Sequence, residues 1–412
     1  MKLNWLLVFM PIGLGLDWFG ANPIVVFLTS ALAIVPMAKL MGDATEVLAE
    51  YLGPTIGSLL NATLGNAPEI IIASFALRAG LVDIVKSSLT GSILGNLLLG
   101  LGISFFLGGV KHRRNQVFDS KAARMSTALM TLASFGLIIP AESQFNPAAT
   151  RSISFESAIV LFVVYLASLV AIFWSQRPLI GKDGVKANLK EEAVRPDEVA
   201  EHPEVGWSRN QAIGVLAAVT IGLAIMSEVL TGAIEPASES LRLNPRFTGV
   251  FMLALVGNAA ELFNAIRFAR KDQMDLCIGI TVGASVQVGL LVAPVLVFMG
   301  AIMGKDMDLV FSPLELIAIV MSVYVTRIMI NDGESTWLEG LILIGVYLLF
   351  AIAFLNHPFT ETPHPSTFPA GPPSASAEPA AFLQDEGASW DLSRPVFADA
   401  SWARDPLAVG LG

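Results

Sequence analysis

Long apolar runs with almost no charge are the feature that most limits what this chain can fold into. A helix that crosses the hydrocarbon core of a bilayer needs about 20 apolar residues. Only 15% of the residues are charged, against about 25% in soluble globular proteins. The pattern predicts an all-α polytopic membrane protein with about 11 transmembrane helices. The candidate spans are 4–19, 22–40, 53–77, 87–110, 124–140, 153–174, 211–231, 247–269, 276–303, 312–330 and 336–355.

Charge and cysteine content exclude several classes of protein. The formal net charge is −10, whereas a surface that binds nucleic acid needs positive charge. The single cysteine, Cys277, excludes a disulfide framework and a cysteine-based zinc site. We therefore expect the lipid bilayer as a partner, no nucleic acid and no bound cofactor.

Basic residues predict the orientation of the chain in the membrane. With a cytoplasmic N-terminus, the inside segments hold 17 of the 25 lysines and arginines, as the positive-inside rule requires. The short N-terminal segment indicates a prokaryotic cytoplasmic (inner) membrane, with a vacuolar membrane as the alternative. A homo-oligomer is possible, because lipid-facing and partner-facing apolar surfaces look alike in a sequence.

Composition divides the chain into five segments. Residues 1–20 form an extra N-terminal helix, and residues 21–176 form a first transmembrane repeat. A charged cytoplasmic linker, 177–210, separates it from a second repeat, 211–355. Residues 356–412 are rich in Pro and Ala and are predicted to be disordered, because they cannot bury enough apolar surface to offset their conformational entropy.

An internal repeat relates the two transmembrane halves. Without gaps, 65–108 matches 257–300 at 12 of 44 positions, and both copies begin with Gly-Asn-Ala-x-Glu. The equivalent helices are the third and eighth predicted spans, and this odd offset of five spans makes the two copies run in opposite directions. We therefore predict two inverted five-helix repeats, a plan typical of secondary transporters that bind their substrate near the bilayer midplane.

The repeated motif places one carboxylate in the middle of a span in each half. An ionised carboxylate inside a bilayer costs about 2.5–3.5 kcal/mol on insertion scales, so Glu69 and Glu261 each need a partner. A shared cation would satisfy both. Asn66 and Asn258 lie one turn earlier on the same helix faces and could add amide oxygens. The structural alternative is a glutamate that only forms hydrogen bonds between helices.

The surrounding residue types favour a hard divalent cation. Gly65 and Gly257 allow the backbone to approach closely or to unwind, which frees carbonyl oxygens as ligands. Carboxylate, amide, carbonyl and water oxygens suit Ca²⁺ better than Mg²⁺. The same two carboxylates can also take protons, so that Ca²⁺ and H⁺ compete for one site.

Weaker candidates lie on neighbouring spans. Four polar residues could support the ion site, although small polar residues also occur wherever membrane helices pack closely: Ser92, Asn96, Ser285 and Gln287. Two further carboxylates could act in gating or ion entry, or could be ordinary interfacial charges: Glu46 and Glu228.

Two segments carry a resemblance to a known family. Residues 59–102 and 256–298 resemble the two signatures of the calcium/cation–proton antiporter family, within the cation/calcium exchanger superfamily. The resemblance implies that Glu69 and Glu261 form the Ca²⁺ site and that inward H⁺ flux exports Ca²⁺ from the cytosol. The family's second motif usually continues Glu-His, whereas Leu262 follows Glu261 here.

Three other functions stay open at this point. Na⁺-coupled calcium exchange would use the same fold and the same oxygen ligands. A passive channel fits less well, because an inverted carboxylate pair suits occlusion better than a continuous pore. An intramembrane metal-dependent enzyme would need a water-activating cluster, and all four histidines lie in predicted loops or in the tail. We therefore predict a transporter rather than an enzyme.

Overall fold

The computed structural model describes residues 3–143, 147–174 and 206–357. Residues up to Glu361 belong to one compact unit, whose described part is helical apart from one short antiparallel strand pair. The predicted linker lies outside the described residues up to position 205, and the predicted tail lies outside them from position 358.

The helices follow the predicted apolar runs. The first half begins with a 3-10 helix, Leu3–Val8, and continues with α1 (Phe9–Trp18), α2 (Pro23–Leu64), α3 (Ala67–Ala79), α4 (Val82–Leu94), the π-helical segment Gly95–Gly100, α5 (Leu101–His112), strand β1 (Gln116–Val117), α6 (Ser120–Ile138), the 3-10 helix Ile139–Ser143 and α7 (Pro147–Trp174). The second half contains α8 (Arg209–Ser240), α9 (Pro245–Phe247), the π-helical segment Thr248–Leu253, α10 (Ala254–Gly257), α11 (Ala259–Arg270), α12 (Met274–Gln287), the π-helical segment Val288–Val292, α13 (Ala293–Met303), α14 (Pro313–Met329), strand β2 (Glu334–Ser335) and α15 (Trp337–Asn356).

The predicted all-α membrane architecture is confirmed, but the number of spans is not. Each predicted span overlaps a helical stretch. Among the described residues, 7 helices are long and apolar enough to cross a membrane, or 8 if a bent pair counts as one span. Helices such as α1, with 10 residues, are too short to meet that test. The count of 11 therefore stays a prediction.

Two of the predicted spans are broken rather than straight. The predicted span 53–77 is interrupted, because α2 continues past a kink at Gly53 to Leu64 and α3 starts only at Ala67. The predicted span 247–269 bends by 61° between Gly257 and Ala259. Hydropathy reports how apolar a stretch is and not whether its backbone is continuous, so the sequence prediction treated both spans as single helices.

Packing shows that the two repeats are inverted. The span from α4 to α5 and the span from α12 to α13 are equivalent in the sequence repeat, and they lie side by side. A Cβ atom on Gly100, just before α5, would lie 3.5 Å from Cγ2 of Thr281 on α12. Ser104, one turn later on α5, lies beside Cys277, one turn earlier on α12. The contacts therefore run in opposite directions along the two spans. Equivalent spans that run antiparallel confirm the predicted inverted arrangement.

Apolar side chains form two large buried clusters around this central pair of spans. The larger cluster joins residues of α4, α5, α12 and α13 with α6, α7, α14 and α15. The second lies mainly between α2 and α8. The helix α3 contributes residues to both clusters, whereas α11 contributes buried apolar residues to the larger one.

A glycine allows one of the closest helix crossings. A Cβ atom on Gly91 would clash with the carbonyl oxygen of Val250 and would lie 2.6 Å from the Cβ of Ala254. The span from α4 to α5 therefore packs against the backbone of the broken span α9–α10. The equivalent glycine of the second repeat, Gly283, has open space, with no atom within 4 Å of such a Cβ.

These two glycines give a matched test of the packing. We expect Gly91→Ala to lower the free energy of unfolding by about 1–3 kcal/mol, because it overpacks a close crossing. Gly283→Ala should leave stability unchanged or raise it by roughly 0.5–1 kcal/mol, the usual gain for alanine within a helix. Thermal unfolding in detergent measures both, and equal effects of the two substitutions would contradict the close crossing at Gly91.

Candidate ion-binding site

Each glutamate of the repeated motif lies in the first turn of a helix that begins at a break. Glu69 belongs to the first turn of α3, whose N-cap residue is Asn66. Glu261 belongs to the first turn of α11, whose N-cap residue is Asn258. The positive end of a helix dipole favours a negative charge there. The predicted unwinding around Gly65 and Gly257 therefore places both carboxylates at helix N-termini.

Each of the two carboxylates has one buried oxygen whose hydrogen-bonding capacity no group of the described protein satisfies. The Oε2 atom of Glu69 and the Oε2 atom of Glu261 are both buried and have no hydrogen-bond partner. Glu69 lies within electrostatic range of Glu261, so two ionised carboxylates would repel each other. Buried polar atoms are almost always paired, so two unpaired carboxylate oxygens in equivalent positions indicate a site for an external partner.

Gly257 lies beside the glutamate of the other repeat. A Cβ atom on Gly257 would lie 3.4 Å from Cγ of Glu69 and 3.9 Å from its Oε1. The glycine of the second motif is therefore in van der Waals reach of the glutamate of the first. This contact brings the two motifs, separated by 192 positions in the repeat, to one place.

Both asparagines donate hydrogen bonds across the interface between the repeats. Asn66 Nδ2 donates to Oε1 of Gln287 on α12. Asn258 Nδ2 donates to the carbonyl oxygen of Ser92 on α4, at 3.2 Å. The sequence equivalent of Gln287 is Gly95, which has no side chain and lies beside Asn258 Nδ2. The inverted contacts are therefore similar in position but different in chemistry.

Two π-helical segments lie at equivalent positions beside the motifs, and the sequence prediction missed both. Gly95–Gly100 follows α4, and Val288–Val292 follows α12. A π-helical turn interrupts the regular hydrogen-bond ladder and is frequent at functional sites. The hydroxyl of Thr326 on α14 donates to the carbonyl oxygen of Leu97 in the first segment, at 3.4 Å. Gly95 and Gly100 were the available sequence signal for the first segment.

The structure places three further predicted supporting residues on α4, the first π-helical segment and α12. Asn96 is buried within the first π-helical segment. Ser92 is buried on α4 and offers its carbonyl oxygen to Asn258. The hydroxyl of Ser285 donates to the carbonyl oxygen of Thr281 in its own helix, at 3.0 Å. Ligation by these three side chains stays a prediction.

The structure places the two predicted gating carboxylates at exposed positions of α2 and α8. Glu228 is exposed on α8 and forms a 2.7 Å ion pair with Arg78. Arg78 lies in the last turn of α3, nine residues after Glu69, or about 13 Å along a helix. Glu46 is exposed on α2. A gating or entry role for these residues therefore stays a prediction.

The donor set fits a hard cation rather than a soft metal. No group of three or more His, Cys, Asp or Glu side chains that could hold a metal ion occurs within the described residues. Two carboxylates with nearby amide and carbonyl oxygens remain, which is oxygen chemistry of the kind that Ca²⁺ accepts. Leu262, which follows Glu261, presents an apolar side chain near Gly100.

Inverted helical repeats that meet at a pair of buried carboxylates define an integral-membrane secondary transporter of the exchanger type. The family model described as sodium/calcium exchanger protein matches residues 22–174 and 211–356. The chain belongs to this family, and it is a transporter rather than an enzyme.

Individual relatives are similar over most of their length. The chain is 41% identical over 366 residues to a Ca²⁺/H⁺ antiporter of Synechocystis sp., covering 86% of this chain and 96% of that protein. It is 40% identical over 364 residues to vacuolar cation/proton exchanger 3 of Oryza sativa subsp. japonica, covering 86% of each. The solved structure of native YfkE superposes with a TM-score of 0.70 at 35% identity, covering 85% of this chain and 99% of that one.

The Asn66–Gln287 hydrogen bond yields a double-mutant prediction. Gln287→Ala should destabilise the cation-free protein by about 1–3 kcal/mol, because it leaves the buried amide of Asn66 without its acceptor. In an Asn66→Ala background the same substitution should cost much less, giving a coupling of about 0.5–3 kcal/mol. Thermal unfolding of the four proteins measures the cycle, and strictly additive losses would show that the two side chains do not interact.

Proposed function

We propose that this protein exchanges Ca²⁺ for H⁺ across a membrane and exports Ca²⁺ from the cytosol. The observation that carries the proposal is the pair of buried, unpartnered Oε2 atoms of Glu69 and Glu261. The names of the relatives, a Ca²⁺/H⁺ antiporter and a vacuolar cation/proton exchanger, support the choice of ions. Asn66 and Asn258 would add amide oxygens, and the helix breaks would add carbonyl oxygens.

Competition for the carboxylates couples the two ions. One Ca²⁺ neutralises both carboxylates, and protons neutralise them when Ca²⁺ has left. Either form lowers the cost of holding the site inside the protein, whereas the empty and doubly charged form is expensive. The site therefore changes its exposure while it is loaded with one ion or the other, and this condition is what makes the transport an exchange.

The break before each glutamate gives the site two routes of approach. Because the repeats are inverted, α3 and α11 reach the carboxylate pair from opposite directions, which suits a site that opens to one side at a time. We propose a prokaryotic cytoplasmic membrane with the N-terminus in the cytoplasm, supported by the distribution of basic residues. Assembly into a homo-oligomer stays a prediction.

Flux into proteoliposomes tests the coupling ion. A pH gradient that is acid inside should drive Ca²⁺ uptake without any Na⁺ gradient, and a protonophore should abolish it. A Na⁺ gradient without a pH gradient should drive none. Uptake that depends only on Na⁺ would overturn H⁺ coupling while leaving the exchanger fold and the carboxylate pair in place.

Substitution of the carboxylates tests the site in the same assay. We expect Glu69→Gln or Glu261→Gln to reduce H⁺-driven Ca²⁺ uptake to background, because the amide keeps the shape but cannot carry the charge that binds the cation. Glu235→Gln, the same change at an exposed position of α8, should transport at the wild-type rate. Substantial uptake by both site variants, with normal thermal unfolding, would contradict the assignment.

Direct competition predicts how Ca²⁺ binding depends on pH. Where the carboxylates take up protons, each tenfold rise in H⁺ concentration should raise the apparent Kd for Ca²⁺ tenfold if one proton competes and about a hundredfold if two compete. Isothermal titration of the purified protein at several pH values measures the slope. A Kd independent of pH in the range where H⁺ drives transport would show that protons act elsewhere.

A further inference from the structure

Exposed cations lie at the joined ends of α5 and α11, and we call Lys111, Arg113, Arg114 and Arg270 the basic surface. Direct contacts bring the two helix ends together. Lys111 Nζ donates to the carbonyl oxygen of Arg270, and His112 Nε2 lies 3.2 Å from the same oxygen. The two helix C-termini therefore meet and concentrate their basic residues at one place.

Most of this positive charge has no carboxylate to neutralise it. Arg114 pairs with Asp272, Nη2 to Oδ2, at 2.5 Å. Among the ion pairs of the described residues, none involves Lys111, Arg113 or Arg270. On the adjoining β1–β2 pair, Glu334 accepts a hydrogen bond from Asn115 at 2.8 Å. The four cations of the basic surface thus form one ion pair among the described residues, and the surface keeps a net positive charge.

The backbone holds one of these arginines in an unusual conformation. Arg113 has φ 55° at the end of α5, a left-handed position that glycine usually occupies at helix ends. The chain does use glycine at the ends of α3 and α13, where Gly80 has φ 89° and Gly304 has φ 67°. An arginine at this position carries strain that a glycine would avoid. Its side chain is exposed at the end of the helix.

Exposed apolar residues next to the basic surface indicate its depth relative to the bilayer. Trp337 is 50% exposed and packs against Gly109, one turn before Arg113. Val110 is 52% exposed and Leu338 is 50% exposed. Tryptophan is enriched at the level of lipid headgroups, with apolar residues below it and cations above it. The basic surface therefore adjoins an exposed tryptophan and exposed apolar residues, the combination typical of headgroup height.

We propose that the basic surface binds the phosphate headgroup of an anionic phospholipid, whose acyl chains lie along Val110, Trp337 and Leu338. The cations supply charge complementarity, and the adjoining apolar face selects a lipid over a free anion. Basic pockets between transmembrane helices on the cytoplasmic side are chemically suited to such headgroups. Because α11 begins with the Glu261 turn, the lipid would anchor the far end of a helix that carries the ion site.

Native mass spectrometry of the full-length protein tests this binding without reference to transport. Titration with phosphatidylglycerol should give tighter binding than titration with phosphatidylcholine, and high salt should weaken that preference. Arg113→Gln with Arg270→Gln should weaken phosphatidylglycerol binding about 25-fold, or about fivefold for each cation removed. Inorganic phosphate should not displace the lipid.

Two control proteins separate this surface from general charge effects. Arg242→Gln removes an exposed arginine that also has a left-handed φ of 55°. It lies two residues before Asn244, which donates a hydrogen bond to the carbonyl oxygen of Phe354, at the end of α15 opposite Trp337. This variant should bind phosphatidylglycerol as the wild type does. Arg113→Lys with Arg270→Lys keeps the charge and should stay within about twofold of the wild type.

Several results would overturn the proposal. Equal affinity for the two lipids, a phosphatidylglycerol preference that salt does not weaken, or an unchanged affinity in the double glutamine variant would each do so. An equal loss in Arg242→Gln would assign the effect to net charge rather than to this surface. If the glutamine variants fail to fold, the salt series on the wild-type protein still decides whether charge carries the preference.

Discussion

The buried Oε2 atoms of Glu69 and Glu261, each without a hydrogen-bond partner in the described protein, set the terms for the rest of the site. Two carboxylates so placed are expensive to keep ionised inside a membrane protein. The surrounding structure lowers that cost by placing each carboxylate at a helix N-terminus. The negative charge of the two carboxylates is still uncompensated, and Ca²⁺ or protons would neutralise it.

Placing both carboxylates at helix N-termini within the membrane region requires a break in the helical backbone before each of them. Non-helical backbone at membrane depth is tolerated only where it is buried in protein or lines a water-filled cavity. The breaks before α3 and α11 meet this condition, because Asn66 and Asn258 are buried and each donates a hydrogen bond to a span of the opposite repeat. The same bonds make the halves unequal. A side chain, that of Gln287, accepts from Asn66, whereas main chain accepts from Asn258.

Much of this arrangement could be predicted from the sequence, and the failures have a common cause. Apolar run length located the helical stretches, and the parity of spans between the repeated motifs predicted their inversion. The breaks in the predicted spans 53–77 and 247–269 were missed, because hydropathy does not report backbone continuity. The π-helical segments, the Arg78–Glu228 pair and the Ser285–Thr281 bond were also missed, since each depends on local geometry or on an element distant in the chain.

By itself, the sequence determined that this chain is a membrane protein of two inverted halves, and it predicted Glu69 and Glu261 as the central carboxylates, because apolar length and a repeated motif are properties of the chain alone. Only the tertiary structure decided what identical residues in the two copies do. Gly91 permits a close helix crossing while its equivalent Gly283 faces open space. Asn66 bonds to a side chain and Asn258 to a carbonyl oxygen. Such roles depend on which atoms the opposite repeat presents across the interface, and spacing within one copy carries no information about them.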